Sequence, residues 1–388
     1  LAILAGFKYT PWLLGLFPDS LVSSDLLEKA KSIPLPVGIS FYTFQGISLV
    51  VDVWRRELEQ DGQAVESMRK GRMVGAWRDL SFYIAFFPQL VAGPIVKARD
   101  FVGQIGSKSA RDVLWVDAVR LLILGYFLKM YVADNLAEHT GVLNTDKLLL
   151  LDGFSRMCLL YSYGLQIFAD FAGYSLIAIG LGALFGYRLP ENFKFPYLSL
   201  SISEFWRRWH LSLSSWLRDY LYVPLGGNRK GASRTYVNLF LVMFLGGLWH
   251  GAEWKFALWG SLHGVFLAIE RLLVKRNSNV GSQKTKPKWL CFIQWFYCFN
   301  AVMFLWLTFL MKDLTQIGHF FSGLLNMDGA FSPRTPFVLV VFGVPVVIYH
   351  IYGWLVERQN RWTQKLKLSV LDGLVCAVML FLTVTNHG

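Results

Sequence analysis

Charged residues are scarce in this sequence: Asp, Glu, Lys and Arg make up 16% of its 388 residues, against roughly a quarter in an ordinary soluble domain. Hydrophobic residues make up 54%. A surface that faces water cannot be built from this composition, which excludes a soluble fold. Apolar runs of about 17 to 25 residues recur along the chain, and helices of that length cross a hydrocarbon core of about 30 Å. We therefore expect an all-α, polytopic integral membrane protein with roughly 9 to 11 membrane-embedded helices, some of them re-entrant or amphipathic.

Cysteine is also scarce, and the common metal and nucleotide motifs are missing. No GxSxG elbow, Walker sequence, HExxH or dinucleotide fingerprint occurs. The cysteines lie in apolar stretches, without metal-ligand spacing or a disulfide framework. They are Cys158, Cys291, Cys298 and Cys376. We expect packing cysteines, no metal site and no permanently bound cofactor.

Positive charge is in excess, with a formal net charge of +12, but its distribution argues against a nucleic-acid partner. Lys and Arg lie in connectors between the apolar runs, as the positive-inside rule describes. The connectors rich in these residues, expected on the cytoplasmic side, are 54–79, 97–112, 186–235, 274–288 and 357–367. The connectors poor in them, expected outside, are 134–152 and 312–336. Membrane lipids are therefore expected partners.

The apolar runs predict one all-helical membrane domain over residues 1–388, without internal repeats. A partial span before residue 18 is followed by candidate spans at 34–53, 80–96, 113–133, 155–185, 236–249, 252–273, 290–311, 337–356 and 368–385. The chain starts with Leu1, inside an apolar stretch. We therefore expect that part of the N-terminus is missing.

The candidate span 80–96 breaks the alternation of sides, because basic connectors flank it at both ends. It contains Pro88, Gly93 and Pro94, which interrupt helix hydrogen bonding. A re-entrant segment would resolve the conflict, with Gln89 to Gly93 lining a pocket. The alternative is an ordinary kinked helix.

The connector 186–235 is too polar to span a membrane and too aromatic for a free loop. Its apolar residues recur at three- and four-residue steps, at Phe205, Trp209, Leu213, Trp216, Leu217 and Tyr220. This period predicts an amphipathic helix in the cytoplasmic interface or dipping into the bilayer. Polar residues occupy the other face, at Arg207, Arg208, Ser214, Arg218 and Asp219. A simple anchoring helix on anionic lipid remains an equal alternative.

Three histidines fall in or beside the stretch 201–264, and His250 is the candidate with the clearest chemistry. It lies in LGGLWHGAEW, at a bend between two apolar segments. A neutral imidazole can take a proton from an attacking hydroxyl near physiological pH. A lone membrane histidine is more often a hydrogen-bonded structural residue or an interfacial tip. The same alternative applies to His210 and His263.

Read together, these segments resemble the membrane-bound O-acyltransferase family. The resemblance runs through LPVGISFYTFQGIS, FFPQLVAGPI, FADFAGYSLIAIGLG, ENFKFPYLS, EFWRRWHLSLSSWLRDYLYVPLGGNR and GGLWHGAEW. Within the family the chain is most similar to the bacterial branch that contains the membrane subunit of alginate O-acetylation, because LYVPLGGNR follows the WRRWH motif. The core motif region is 186–273.

The resemblance implies catalytic roles for His250, in the WHG motif, and His210, in the WRRWH motif. It implies an acetyl group taken from a cytoplasmic donor, acetyl-CoA, and passed toward the hydroxyls of an exported polysaccharide with a periplasmic or extracellular acetyltransferase partner. The location implied is the bacterial cytoplasmic membrane. The basic and polar residues expected near the donor phosphates are Arg207, Arg208, Asn228 and Arg229, with Asp219 as polar support.

Other functions stay open at this point. The first is transfer of D-alanyl or another acyl group to a cell-wall polymer. The second is a transporter, although paired inverted halves with interrupted helices are missing from the sequence. The third is a non-catalytic membrane platform for a secreted acetyltransferase.

Overall fold

The structure, a computed structural model, describes residues 2–18, 21–34, 36, 38–58, 73–90, 93–277, 287–325, 328–357 and 369–385. Over these residues the chain is helical, without a β-strand. The predicted all-α class is confirmed.

The helices follow the predicted apolar runs closely. In chain order the α-helices of the described residues are α1 (Ala2–Leu14), α2 (Ser24–Ser32), α3 (Ile39–Trp54), α4 (Met73–Ala85), α5 (Ala98–Phe101), α6 (Trp115–Tyr126), α7 (Asn135–Thr140), α8 (Gly153–Leu184), α9 (Ile202–Trp206), α10 (Leu211–Leu217), α11 (Gly231–His250), α12 (Trp254–Asn277), α13 (Lys288–Leu310), α14 (Leu314–Ser322), α15 (Arg334–Glu357) and α16 (Ser369–Thr385). The π-helical turns Phe127–Asp134 and Arg218–Tyr222 continue α6 and α10.

Four of the described helices are long and apolar enough to cross a membrane by length and composition. They are Gly153–Leu184, Trp254–Leu273, Lys288–Leu310 and Arg334–Leu355. Each coincides with a predicted span. The protein is thus a polytopic membrane protein, as the composition predicted.

The predicted span 80–96 does not continue as a helix. After α4 the chain forms a short 3-10 turn, Phe87–Gln89, and then runs without helical structure from Pro94 until α5 begins. The side chain of Gln89 is buried, and its Nε2 donates to the backbone carbonyl of Tyr83 at 2.9 Å. The kinked-helix alternative is therefore wrong. The helix is interrupted, as Pro88 and Pro94 predicted. Part of the predicted pocket lining, residues 91–92, lies outside the described residues.

The connectors predicted to share a side of the membrane contact one another. On the predicted outer side, the Ala330 N–H donates to the Leu150 carbonyl at 2.8 Å. On the predicted inner side, Lys97 and Asp219 form an ion pair at 2.8 Å. Much of the other basic connectors, 59–72, 278–286 and 358–368, lies outside the described residues.

Helices α11 and α12 form an antiparallel hairpin that is held very close by glycines. A Cβ added at Gly247 would overlap the carbonyl oxygen of Phe256, and one added at Gly260 would overlap the carbonyl oxygen of Met243. Small residues let helix backbones approach in this way inside membranes. Because Gly247 lies three residues before His250, this contact fixes the position of the histidine.

We predict that Gly247→Ala destabilises the protein, because the added methyl group has no space against α12. The free energy of unfolding should fall by about 1 to 3 kcal/mol, measured as a lower midpoint of thermal unfolding in detergent. Gly46→Ala in α3 is the matched control, since nothing lies within 4 Å of its added Cβ. Equal midpoints for the two variants would contradict the close contact.

Candidate active site

The predicted amphipathic helix is broken at the WRRWH motif. Helix α9 ends at Trp206, and α10 begins only at Leu211. Between them His210 adopts the left-handed conformation, with φ of 46°. The prediction of one continuous helix was therefore wrong. The spacing of apolar residues continues across the break because Phe205 and Trp209 are both buried. Their rings stack on each other, with centroids 5.5 Å apart.

The break is held by the ENFKF segment, which lies alongside it. The Leu211 N–H donates to the Asn192 carbonyl, and the Lys194 N–H donates to the Arg208 carbonyl, each at 2.9 Å. These bonds satisfy backbone groups that a broken helix leaves unpaired, which matters most where water is scarce. The two sequence motifs therefore form one structural unit.

The side chain of Asn192 fixes the orientation of His210. Its Oδ1 lies 2.9 Å from His210 Nδ1 and accepts bonds from the Ser212 hydroxyl at 2.8 Å and the Ser212 N–H at 3.3 Å. Its Nδ2 donates to the Ser175 hydroxyl in α8 at 2.9 Å. Both Asn192 and His210 are 1% exposed.

These bonds decide which nitrogen of His210 carries its proton. A backbone N–H can only donate, so the Asn192 atom that faces Ser212 is its oxygen. An amide oxygen can only accept, so Nδ1 of His210 must be the donor. Nε2 then keeps its lone pair, and it has no hydrogen-bond partner among the described residues. His210 thus presents a basic nitrogen.

His250 is the last residue of α11, as its predicted position at a bend required. Aromatic rings surround the imidazole: Trp249, Trp259 and Phe309 have centroids at 4.9, 5.3 and 5.2 Å. Trp249 in turn stacks on Phe44 of α3 at 5.3 Å. The LPVGISFYTF segment, which contains Phe44, therefore packs against the WHG motif.

His210 and His250 line the same cavity, which has a volume of about 350 Å³. Its lining residues are Lys8, Ser40, Phe41, Ile167, Asp170, Phe171, Trp209, His210, Trp249, His250, Trp259, Trp306 and Phe309. A second, smaller cavity of about 110 Å³ also touches His250, which therefore lies between two spaces. The larger volume is within the usual range for a small-ligand pocket.

Sequence reasoning missed polar residues at or behind this cavity, among them Asn192, Lys8 and Asp170. Asp170 forms an ion pair with Lys129 at 2.7 Å. Asn192 and Asp170 both lie in segments that the sequence analysis had singled out as motifs. Only their hydrogen bonds reveal what they do. Over the described residues, no group of three His, Cys, Asp or Glu side chains is placed to hold a metal ion.

The residues predicted near the donor phosphates lie apart from the cavity lining. Arg207, Asn228 and Arg229 are exposed, and their role stays a prediction. The guanidinium of Arg208 instead binds Glu204 at 2.9 Å and Glu357 at 2.6 Å. It therefore links the helix break to the end of α15.

Three basic side chains pair with the carboxylate of Asp219 on the predicted cytoplasmic side. Its carboxylate contacts Lys97 at 2.8 Å, Arg99 at 2.6 Å and Arg218 at 2.8 Å. Burial alone would raise the pKa of Asp219, but hydrogen bonds from Arg218 and Lys97, with their charges, hold it well below its ordinary value. The carboxylate is therefore ionised and structural, and its role as polar support for the site stays a prediction.

His263 has a structural environment. It is fully buried within α12, its Nδ1 accepts a hydrogen bond from Trp206 Nε1 at 3.2 Å, and its ring packs on Trp259 at 4.8 Å. Trp259 separates it from His250. We therefore assign no chemistry to His263.

Comparison with known proteins identifies the family of this chain. Residues 77–312 match the membrane-bound O-acyltransferase family, and the chain belongs to that family. It is 38% identical over 331 residues to the probable alginate O-acetylase AlgI of Pseudomonas putida, covering 84% of this chain and 63% of that protein.

Two other relatives act on different polymers, according to their names. The peptidoglycan O-acetyltransferase of Helicobacter pylori is 34% identical over 342 residues, which is 84% of this chain and 63% of that protein. The teichoic acid D-alanyltransferase of Bacillus subtilis is 29% identical over 299 residues, 69% of this chain and 68% of that protein. The chain thus spans a little under two thirds of the alginate and peptidoglycan relatives.

We predict that Asn192→Ala lowers acyl transfer by up to about 10²-fold, because His210 loses the partner that fixes its tautomer and position. The measurement is transfer by membranes that contain equal amounts of each variant. The matched control is Asn300→Ala, because Asn300 bonds Tyr161 at 2.7 Å outside the cavity. Wild-type activity in Asn192→Ala would refute the positioning role.

Proposed function

We propose that this protein transfers an acetyl group from a cytoplasmic donor toward hydroxyl groups of an exported cell-surface polysaccharide. The observation that carries the proposal is the cavity shared by His210 and His250. In a member of this family, two imidazoles on one mostly aromatic cavity suit transfer of a small acyl group from the sulfur of a thioester to a hydroxyl oxygen.

The chemistry divides between the two histidines. His250 acts as general base or acyl-relay residue, since a thioester is already activated and needs no further nucleophile. His210, with its Nε2 lone pair held ready by Asn192, accepts a hydrogen bond from the donor or the acceptor and so orients it. Neither role requires a metal ion.

The donor that fits best is acetyl-CoA. Its phosphates would meet the exposed Arg207, Asn228 and Arg229 on the predicted cytoplasmic face. The charge excess of the connectors favours such an anion. A periplasmic or extracellular acetyltransferase would complete delivery to the polysaccharide, and we expect this protein to lie in the bacterial cytoplasmic membrane.

An alginate-like acceptor is the first choice, because the alginate relatives have the higher identity over most of this chain. Peptidoglycan is the next candidate, on the 34% identity to the Helicobacter protein. Transfer of D-alanyl groups rests on lower identity and shorter coverage. All three candidate reactions would use His210 and His250.

We predict that His250→Ala lowers acetyl transfer by about 10² to 10⁴-fold, the usual contribution of a positioned base. The measurement is acetyl content of the cell-surface polysaccharide in a deletion strain that carries the variant, with equal membrane expression confirmed by immunoblot. His139→Ala is the matched control, since His139 in α7 is outside the cavity lining.

Two outcomes would contradict the proposal. Undiminished acetylation with His250→Ala would remove the catalytic assignment. If, in addition, substitutions in 312–336 abolish acetylation, the protein is a docking platform for a secreted enzyme.

A further inference from the structure

Lys8 on α1 is a cation inside the cavity. Its Nζ donates to the carbonyl oxygen of Trp249, the residue just before His250, and lies 3.3 Å from the hydroxyl of Ser40. It also lies 5.7 Å from the centroid of the Trp249 ring. The ammonium is therefore fixed beside the backbone that carries His250.

The hydrogen bonds of Lys8 leave donor capacity unused. An ammonium has three N–H donors, and the carbonyl of Trp249 and the hydroxyl of Ser40 take two. Over the described part of the chain, Lys8 has no carboxylate partner. The carboxylate that also lines the cavity, Asp170, is already paired with Lys129 at 2.7 Å. One charged donor is left for an occupant of the cavity.

The need for donors to the last carbonyl groups of α11 does not by itself explain why a charged side chain lies here. Tyr9 already donates to the carbonyl of Leu248 at 3.0 Å, so a neutral donor can satisfy such a group. An unpaired ammonium within apolar surroundings is expensive and usually functional. The cost is recovered if negative charge develops next to Lys8 during the reaction.

We propose that Lys8 is a catalytic residue whose ammonium stabilises the oxyanion formed when the acyl group is attacked, and this rests on the proposed acyl transfer. His250 receives the proton of the acceptor hydroxyl while the hydroxyl oxygen forms a bond to the thioester carbon. The electron pair of the C=O bond moves to the carbonyl oxygen, which becomes the oxyanion beside Lys8.

The intermediate then collapses. The oxyanion re-forms the C=O bond, the C–S bond breaks, and the thiolate leaves with the electron pair. The proton held by His250 passes to the thiolate, so the free thiol and the ester are the products. Lys8 keeps its proton throughout and contributes only charge and a hydrogen bond, as an oxyanion-hole donor does.

The test compares Lys8→Met and Lys8→Arg in the full chain, with acetyl-CoA as donor and kcat and KM measured separately. Lys8→Met should lower kcat by about 10² to 10³-fold with little change in KM, because the lost bond exists only in the transition state. Lys8→Arg keeps the charge and should retain more activity than Lys8→Met. The matched control is Lys29→Met, since Lys29 is an exposed lysine on α2 paired with Asp25.

A rescue experiment separates charge from packing. In Lys8→Ala, added propylammonium should restore kcat in a saturable way, whereas 1-propanol of similar size should not. Rescue by both compounds would mean that Lys8 only fills space, and this result overturns the proposal. A rise in KM with unchanged kcat in Lys8→Met also overturns it, because Lys8 would then bind the ground state.

The outcome also separates this proposal from the proposed function. If wild type and Lys29→Met transfer acetyl groups while Lys8→Met keeps the wild-type kcat, only the role of Lys8 is refuted. If wild type and Lys29→Met transfer none, acyl transfer itself is refuted, and the role of Lys8 with it.

Discussion

The amide oxygen of Asn192 is the point on which the site depends. It receives hydrogen bonds from His210 Nδ1, the Ser212 hydroxyl and the Ser212 N–H. Without it, three buried donors would lose this acceptor, and a buried group left unsatisfied costs about 1 to 3 kcal/mol. The left-handed conformation of His210 adds strain of about 1 to 3 kcal/mol. This single acceptor therefore stabilises both the interrupted helix and the proton position of His210.

The other half of the site depends on packing rather than on polar bonds. His250 has its place because glycines bring α11 against α12 and because Trp249 stacks on Phe44. Phe44 also stacks on Trp216 with ring centroids 4.0 Å apart, and its carbonyl accepts a bond from the Trp216 indole at 3.1 Å. One aromatic residue of α3 thus supports the WHG helix and the helix after WRRWH together. The two histidines keep their relative position through that shared support.

The sequence predicted the membrane fold and singled out the two histidines that line the cavity, but not how these histidines are held. Apolar length alone locates helices such as α8 and α13, since crossing a bilayer requires it. The break at His210 was invisible to periodicity, because Phe205 in α9 and Trp209 within the break keep helical spacing. Asn192 is 18 residues from His210, and Lys8 reaches Trp249 across 241 positions. Contacts this distant follow from tertiary packing, which a one-dimensional pattern does not encode.

The walls of the cavity also affect where water can bind. Seven of its thirteen lining residues are Phe or Trp, and ring faces offer little hydrogen bonding to a solvent molecule. An ordered water needs two to four polar partners to remain in a buried space. The polar lining residues are Lys8, Ser40, Asp170, His210 and His250, so an ordered water is held best beside these side chains. If the cavity holds an acyl donor as proposed, the seven aromatic rings would keep water away from most of that donor.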